Sequence, residues 1–138
     1  VELESAMEQI EEILKNSRTI AVVGLSPKPD RPSYGVARYL QGQGYRIIPV
    51  NPGAQQILGE KAYPNLSAIP ERVDVVDIFR KPEDVLPVVE EAIKIGAKYI
   101  WMQEGIVNDQ AAQKARRAGL GVVMDRCLMV EHRRLHSK

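Results

Sequence analysis

The stretch Thr19–Gly35 constrains this chain more than any other part of it. It opens as the apolar run Thr19-Ile20-Ala21-Val22-Val23, the pattern of a strand buried on both faces rather than half-exposed. At Gly24 the run breaks into a loop of Ser26, Pro27, Lys28, Pro29, Asp30 and Arg31. A helix follows, with Ser33 or a close neighbour as its expected cap and Val36, Ala37 and Leu40 on one side. Strand, small-residue turn and helix N-terminus together aim free backbone N–H groups and the positive end of a helix dipole at one point, which suits a phosphate. Lys28 and Arg31 add cationic groups beside it. This pattern predicts a nucleotide-type binding site.

The rest of the chain repeats the alternation. Leu3, Met7, Ile10 and Leu14 share one face of an N-terminal helix within residues 1–17, expected to pack on the chain's own sheet. Ile20–Val23 is then the central strand. The next helix should stop at Gly42-Gln43-Gly44, and Tyr45–Val50 reads as a second strand. It ends in Asn51-Pro52-Gly53, where proline presets φ and glycine permits a positive φ. Between 54 and 72 the apolar residues are scattered, with Asn65–Ile69 suited to one helical turn. Val73–Phe79 is a third strand. Pro87 conflicts with a helix beginning at Pro82, so a separate turn at 82–85 and a helix from Leu86 are expected. Ala97–Met102 is a fourth strand. Asn108 then caps a helix whose buried face is Ala111, Ala112, Ala115 and Ala118. Leu120–Met124 is a fifth strand, and residues 128–138 read as a polar tail. The expected architecture is α/β: a Rossmann-like open parallel five-stranded sheet with helices on both faces, three layers deep, in one domain over 1–138.

Composition narrows the function. A formal net charge of +1 gives no electrostatic case for nucleic acid or an anionic membrane. The basic residues from Arg126 to Lys138 read as solvated rather than as an RNA patch. No apolar run approaches the roughly 20 residues that span a bilayer. The acidic N-terminal stretch lacks the order of a signal peptide. The single cysteine, Cys127, cannot form an internal disulfide and suits a reducing compartment, so a cytoplasmic location is expected. In open parallel sheets, ligands bind beyond the carboxyl ends of the strands, where strand order reverses. The loops at Gly24–Ser33, Asn51–Gly53, Arg80–Pro82, Gln103–Gly105 and Asp125–Cys127 should therefore lie along one edge.

The nucleotide can be narrowed too. A dinucleotide fingerprint needs G-x-G-x-x-G and an acidic residue closing the second strand. Here Gly24-Leu25-Ser26 breaks the glycine spacing and the strand closes in Val50-Asn51, which disfavours NAD(P). No Gly-Lys-Ser/Thr is present for a Walker A loop. The ordered pieces Val23-Gly24-Leu25-Ser26-Pro27-Lys28-Pro29 with Tyr34-Gly35, Pro49-Val50-Asn51-Pro52, Leu58-Gly59 with Tyr63-Pro64-Asn65-Leu66, Asp74–Pro82, Trp101–Gly105 and Met124–Cys127 resemble the small bacterial CoA-binding proteins. They are similar also to the N-terminal CoA-binding domain of the succinyl-CoA synthetase α subunit and of ADP-forming acyl-CoA synthetases. The resemblance runs from about Ser17 to Cys127.

The resemblance implies coenzyme A or an acyl-CoA as ligand. It assigns phosphate contact to Gly24, Ser26, Pro27 and Lys28, with Arg31 nearby and Tyr34 and Gly35 at the helix start. Val50, Asn51 and Pro52 would border the adenosine part. Phe79, Arg80 and Pro82, with Val85 behind, would line the adenine and pantetheine channel, and Met102, Gln103 and Gly105 would flank the pantetheine. The synthetases act through a phosphorylated histidine in a following domain, and His132 and His136 lie in no context resembling that loop. The resemblance therefore carries binding over, and not catalysis. It implies a sensor, carrier or regulatory module. The alternatives are an in-trans subunit of an acyl-CoA ligase or transferase completed by a protein partner, and an NAD(P)-binding regulatory domain.

Each residue also has a plainer reading. Ser26 lacks a histidine partner and suits a turn or phosphate contact better than a nucleophile. Lys28, Arg31 and Arg80 are either solvated charges or ligand contacts. Asn51, Gln103 and Gly105 are either turn-builders or ligand contacts, and Trp101 reads as core. Cys127 reads first as an inert small apolar group. Its alternative is a redox thiol near the CoA sulfur, able to form a mixed disulfide. A C-x4-H-x3-H spacing through Cys127, His132 and His136 is too weak to assign zinc, and no metal is expected.

Overall fold

A computed structural model describes residues 2–136, with side chains from Glu4 onward. The elements run α1 (Glu2–Asn16), β1 (Thr19–Val23), α2 (Pro32–Gly42), β2 (Arg46–Val50), β3 (Gln56–Ile57), β4 (Glu60–Lys61), β5 (Val75–Ile78), α3 (Val85–Lys94), β6 (Tyr99–Met102), α4 (Asp109–Arg117), β7 (Gly121–Val123) and α5 (Leu128–His136). Five strands form one sheet in the order β2-β1-β5-β6-β7. All neighbours in it are parallel, with Val22 beside Asp77 and Asp77 beside Trp101 in register. The open parallel α/β fold expected from the alternation is the one observed. β1 is not its central strand, however. The chain steps outward from β1 to β2 and then returns to β5 on the other side of β1. Strand order reverses between β1 and β5, and that makes their carboxyl ends the switch point.

Two apolar layers hold the helices against the sheet. α1, α2 and α5 pack on one face through Ile10, Ile13, Leu14, Val36, Leu40 and Leu128 against Ile20, Val22, Val75 and Trp101. α3 and α4 cover the other through Val85, Val89, Ala111, Ala112 and Ala115 against Ala21, Val76, Ile78 and Ile100. The strands read as unbroken apolar runs because both faces are covered. α1 packs on the sheet as expected. Leu3, placed on its buried face by the spacing, lies outside the described side chains, as does the end of the chain at Lys138.

Several local expectations need correction. Arg31, not Ser33, occupies the cap position of α2, and no side chain caps that helix. Pro32 starts it, since a missing N–H costs nothing in a first turn. Ser33 is inside the helix and accepts a hydrogen bond from the Ser26 N–H at 3.0 Å. Gly53 has no positive φ, because the Asn51 side chain makes the turn by accepting from the Gly53 N–H at 2.7 Å. A short hairpin, β3–β4, turns at Leu58 and Gly59, both at positive φ, in a stretch whose scattered apolar residues gave no strand signal. Ala118 is exposed at the C-cap of α4 rather than buried. Residues 128–136 are helix α5 rather than a polar tail, with Leu128, Glu131 and His132 buried. Glu131 is tolerated inside because Arg126 and Arg134 lie beside its carboxylate at 3.6 and 3.2 Å. Pro87 sits in the first turn of α3, after a separate 3-10 turn at Pro82–Asp84, as its missing N–H requires.

Candidate functional site

Because the ladders are parallel, all five strand-end loops meet at one edge, and hydrogen bonds tie them together. The Gly24 N–H donates to the Val50 carbonyl at 3.0 Å and the Phe79 N–H to the Val23 carbonyl at 2.9 Å. The Asn51 side-chain amide donates to the Leu25 carbonyl at 2.9 Å. Farther along, the Gly105 N–H donates to Asp125 at 2.7 Å, and the Asn108 amide to the Pro82 carbonyl at 2.8 Å. Gly24 needs its glycine twice over. Its φ is +87°, and a Cβ there would land inside contact distance of the Phe79 carbonyl oxygen. The loops after β1 and β5 approach one another there because nothing stands between their backbones.

The loop after β1 is built internally. Ser26 accepts from the Lys28 N–H at 3.1 Å, and the Arg31 N–H donates to the Lys28 carbonyl, also at 3.1 Å. This folds Pro27–Arg31 over the start of α2, where the Tyr34 and Gly35 N–H groups donate to the Arg31 carbonyl at 3.1 and 3.4 Å and, Pro32 having none, the Ser33 N–H is left without a partner among the described residues. Lys28, Arg31 and Arg80 are exposed. None of the three is paired with a carboxylate among the described residues. The edge therefore sets the Ser33 N–H near three uncommitted cations, with Pro52, Phe79 and Pro82 as apolar walls.

Not every residue expected at the site reaches its surface. Val50, Val85 and Met102 are enclosed in the core, Val85 and Met102 with no exposure at all. They shape the edge from below and do not line it. Gln103 is also buried, donating from its amide to Asp77 at 2.6 Å. Gly24, Ser26, Tyr34, Asn51 and Phe79 are half-buried, while Pro27, Gly35 and Gly105 are open. Trp101 is core, and its indole N–H donates to the Arg126 carbonyl at 2.8 Å. Cys127 is half-buried and free, with its carbonyl accepting the Glu131 N–H at the start of α5.

Two acidic residues were not anticipated. Asp125 holds a positive φ of 59° and fixes the loop after β6, an Asp tolerating that conformation better than most residues. Asp77 is wholly buried in β5. Burial pushes its carboxyl up to about 7, against the pull of the Gln103 bond, and its Oδ2 has no partner. A lone acid in an apolar strand was the available signal, and Val75-Val76-Asp77-Ile78 carries it. Among the described residues no group of His, Cys, Asp and Glu could hold a metal ion, and no helix is long and apolar enough to cross a membrane.

Comparison with known proteins points to one family. A family model described as a CoA binding domain matches residues 18–133. The Bacillus subtilis (strain 168) protein YneT is 44% identical over 124 residues, covering 90% of this chain and 92% of that protein. A solved structure of a protein from Pyrococcus horikoshii OT3 superposes with a TM-score of 0.91 at 47% identity, covering 94% of this chain and 92% of that one. The Pyrococcus furiosus acetate–CoA ligase (ADP-forming) I subunit alpha is 31% identical over 128 residues, covering 81% of this chain but 28% of that subunit.

Proposed function

Since the chain belongs to the CoA binding domain family, we propose that it binds coenzyme A or an acyl-CoA noncovalently along the carboxyl edge of its sheet. The observation that carries this reading is the start of α2, with no side-chain cap, flanked by the unpaired Lys28 and Arg31 of the loop after β1 and Arg80 of the loop after β5, at the switch point between those strands. CoA brings several phosphate charges and a long, weakly polar arm. Lys28, Arg31 and the Ser33 N–H suit a phosphate, and Arg80 suits another across the switch point. Asn51, Pro52, Phe79 and Pro82 would border the nucleoside and Gly105 the arm, with the buried Gln103 supporting it from below. NAD(P) is disfavoured because Asn51, already committed to Leu25 and Gly53, stands where the ribose-binding acid would be. The role fits a sensor, carrier or regulatory module, and its single free cysteine suits the cytoplasm.

The test is calorimetric titration with CoA, 3′-dephospho-CoA and NAD. Saturable CoA binding, weakened about tenfold by Lys28→Ala or Arg80→Ala as loss of a charge-assisted contact implies, supports the reading. Binding of NAD without CoA overturns it. A second reading rests on the match to the ligase subunit, of which this chain corresponds to 28%. It makes the protein an in-trans subunit, and ligase activity appearing only on mixing with a histidine-bearing partner distinguishes it from a module acting alone.

A further inference from the structure

A cavity of about 720 Å³ lies at the opposite edge of the sheet, where β1 and β2 begin. Its walls are the carboxyl ends of α1 and α5 and the turn from α2 into β2, so it shares no residue with the loops described above. The volume falls within the range of small-molecule sites. Two of its polar side chains are more than nine-tenths buried, Ser17 at 6% exposure and His132 at 4%. The Ser17 hydroxyl has no hydrogen-bond partner. Native proteins rarely leave a buried hydroxyl unpaired, because that forfeits its bonds to water.

The remaining chemistry of the cavity is cationic and aromatic. Lys15, Arg18 and Arg46 line it against a single acid, Glu11. Lys15 is committed to Glu11 at 2.8 Å, and Arg46 to Glu60 and Glu71. The Arg18 guanidinium is uncommitted among the described residues. His132 is fixed by the Tyr39 hydroxyl at 2.8 Å from its Nδ1 and stacks on His136, with centroids 4.3 Å apart and planes 23° apart. The His136 Nδ1–H donates to the His132 carbonyl at 2.9 Å, which leaves its Nε2 free for a ligand. A free guanidinium and an unpaired hydroxyl donate, and the His136 Nε2 accepts, which together suit a tetrahedral monoanion that keeps one O–H, and the stacked rings offer a surface for its organic part.

We propose that this cavity is a second ligand site, for a small phosphate monoester held by Arg18, Ser17 and His136. It is independent of the CoA reading, and its test separates the two. The purified protein, labelled for amide and imidazole NMR, is titrated with phenyl phosphate against sodium chloride at equal ionic strength. The expected result is saturable shifts at Ser17, Arg18, Tyr45 and the His136 ring. Arg18→Gln weakens the affinity about tenfold. Ser17→Ala weakens it about fivefold while leaving the melting temperature equal or higher, because no bond within the protein is lost. Shifts that chloride reproduces, that never saturate, that are confined to Gly24–Ser33, or that Arg18→Gln leaves unchanged overturn the proposal.

Discussion

Replacing Asp77 with Asn should make the protein more stable, by an amount that grows with pH. Asp77 has no solvent exposure and lies between Val22 and Trp101 in the sheet, with one hydrogen bond, from Gln103. Burial moves its carboxyl from an ordinary 3.8 to about 7. The folded protein therefore keeps this proton over a range in which the unfolded chain has already lost it. The stability Asp77 contributes is fully present below the ordinary value and is lost as pH rises to the folded one. At ~1.36 kcal/mol per pH unit, the loss is about 4 kcal/mol, a large part of the 5–15 kcal/mol typical of a domain. Asn retains an oxygen to accept from Gln103 and cannot ionise. The stability gap between Asp77→Asn and wild type should thus widen by about 4 kcal/mol from about pH 4 to about pH 8 and then level off. Urea unfolding followed by the fluorescence of Trp101, buried beside the substitution, measures it at each pH. Titrations elsewhere cancel in the difference between the two proteins. A gap that stays constant with pH, or narrows as pH rises, refutes the reasoning.

Three further outcomes follow from single contacts. Gly24→Ala should cost roughly 3 kcal/mol in denaturant unfolding, from positive-φ strain plus crowding against the Phe79 carbonyl; a loss below about 1 kcal/mol contradicts the close approach. Asn51→Ala removes the bonds to Leu25 and Gly53, and should lower stability by about 1–3 kcal/mol and speed amide exchange at Gly53; unchanged exchange speaks against Asn51 as the tie between the loops. Burial, and next His136, hold the His132 imidazole below its ordinary 6.5, so its contribution is present above that value and fades as pH falls. The stability gap between wild type and His132→Leu should accordingly shrink between about pH 7.5 and about pH 5, and unfolding curves showing a widening gap contradict the burial.

Much of the fold was legible because covered parallel sheets leave a local record. Ile20–Val23, Val75–Ile78 and Tyr99–Met102 are apolar on both faces but for the lone Asp77, and could not be surface strands. Pro87 and Asn108 marked where α3 and α4 could begin, since one lacks an N–H and the other carries an acceptor oxygen. The unanticipated parts depend on partners distant in sequence. α5 looked polar because its buried residues include Glu131 and His132, each acceptable only beside Arg126 and Arg134 or Tyr39. The β3–β4 hairpin is two residues per strand, too short to show alternation.

For the site, the chain by itself determined the loop chemistry: a glycine after a buried strand, a helix beginning near Ser33, and cations at positions 28, 31 and 80. Those are properties of residues and their immediate neighbours. Tertiary structure decided which of them reach the surface. Val50, Val85 and Met102, which the family resemblance implies at the site, are enclosed by the packing of α3 and α4. It also decided that Gly24 must stay bare, because the atom it would strike belongs to Phe79, 55 positions along the chain. A residue's type and spacing report what it can do, whereas burial and close approach are set by elements that meet only when the sheet closes.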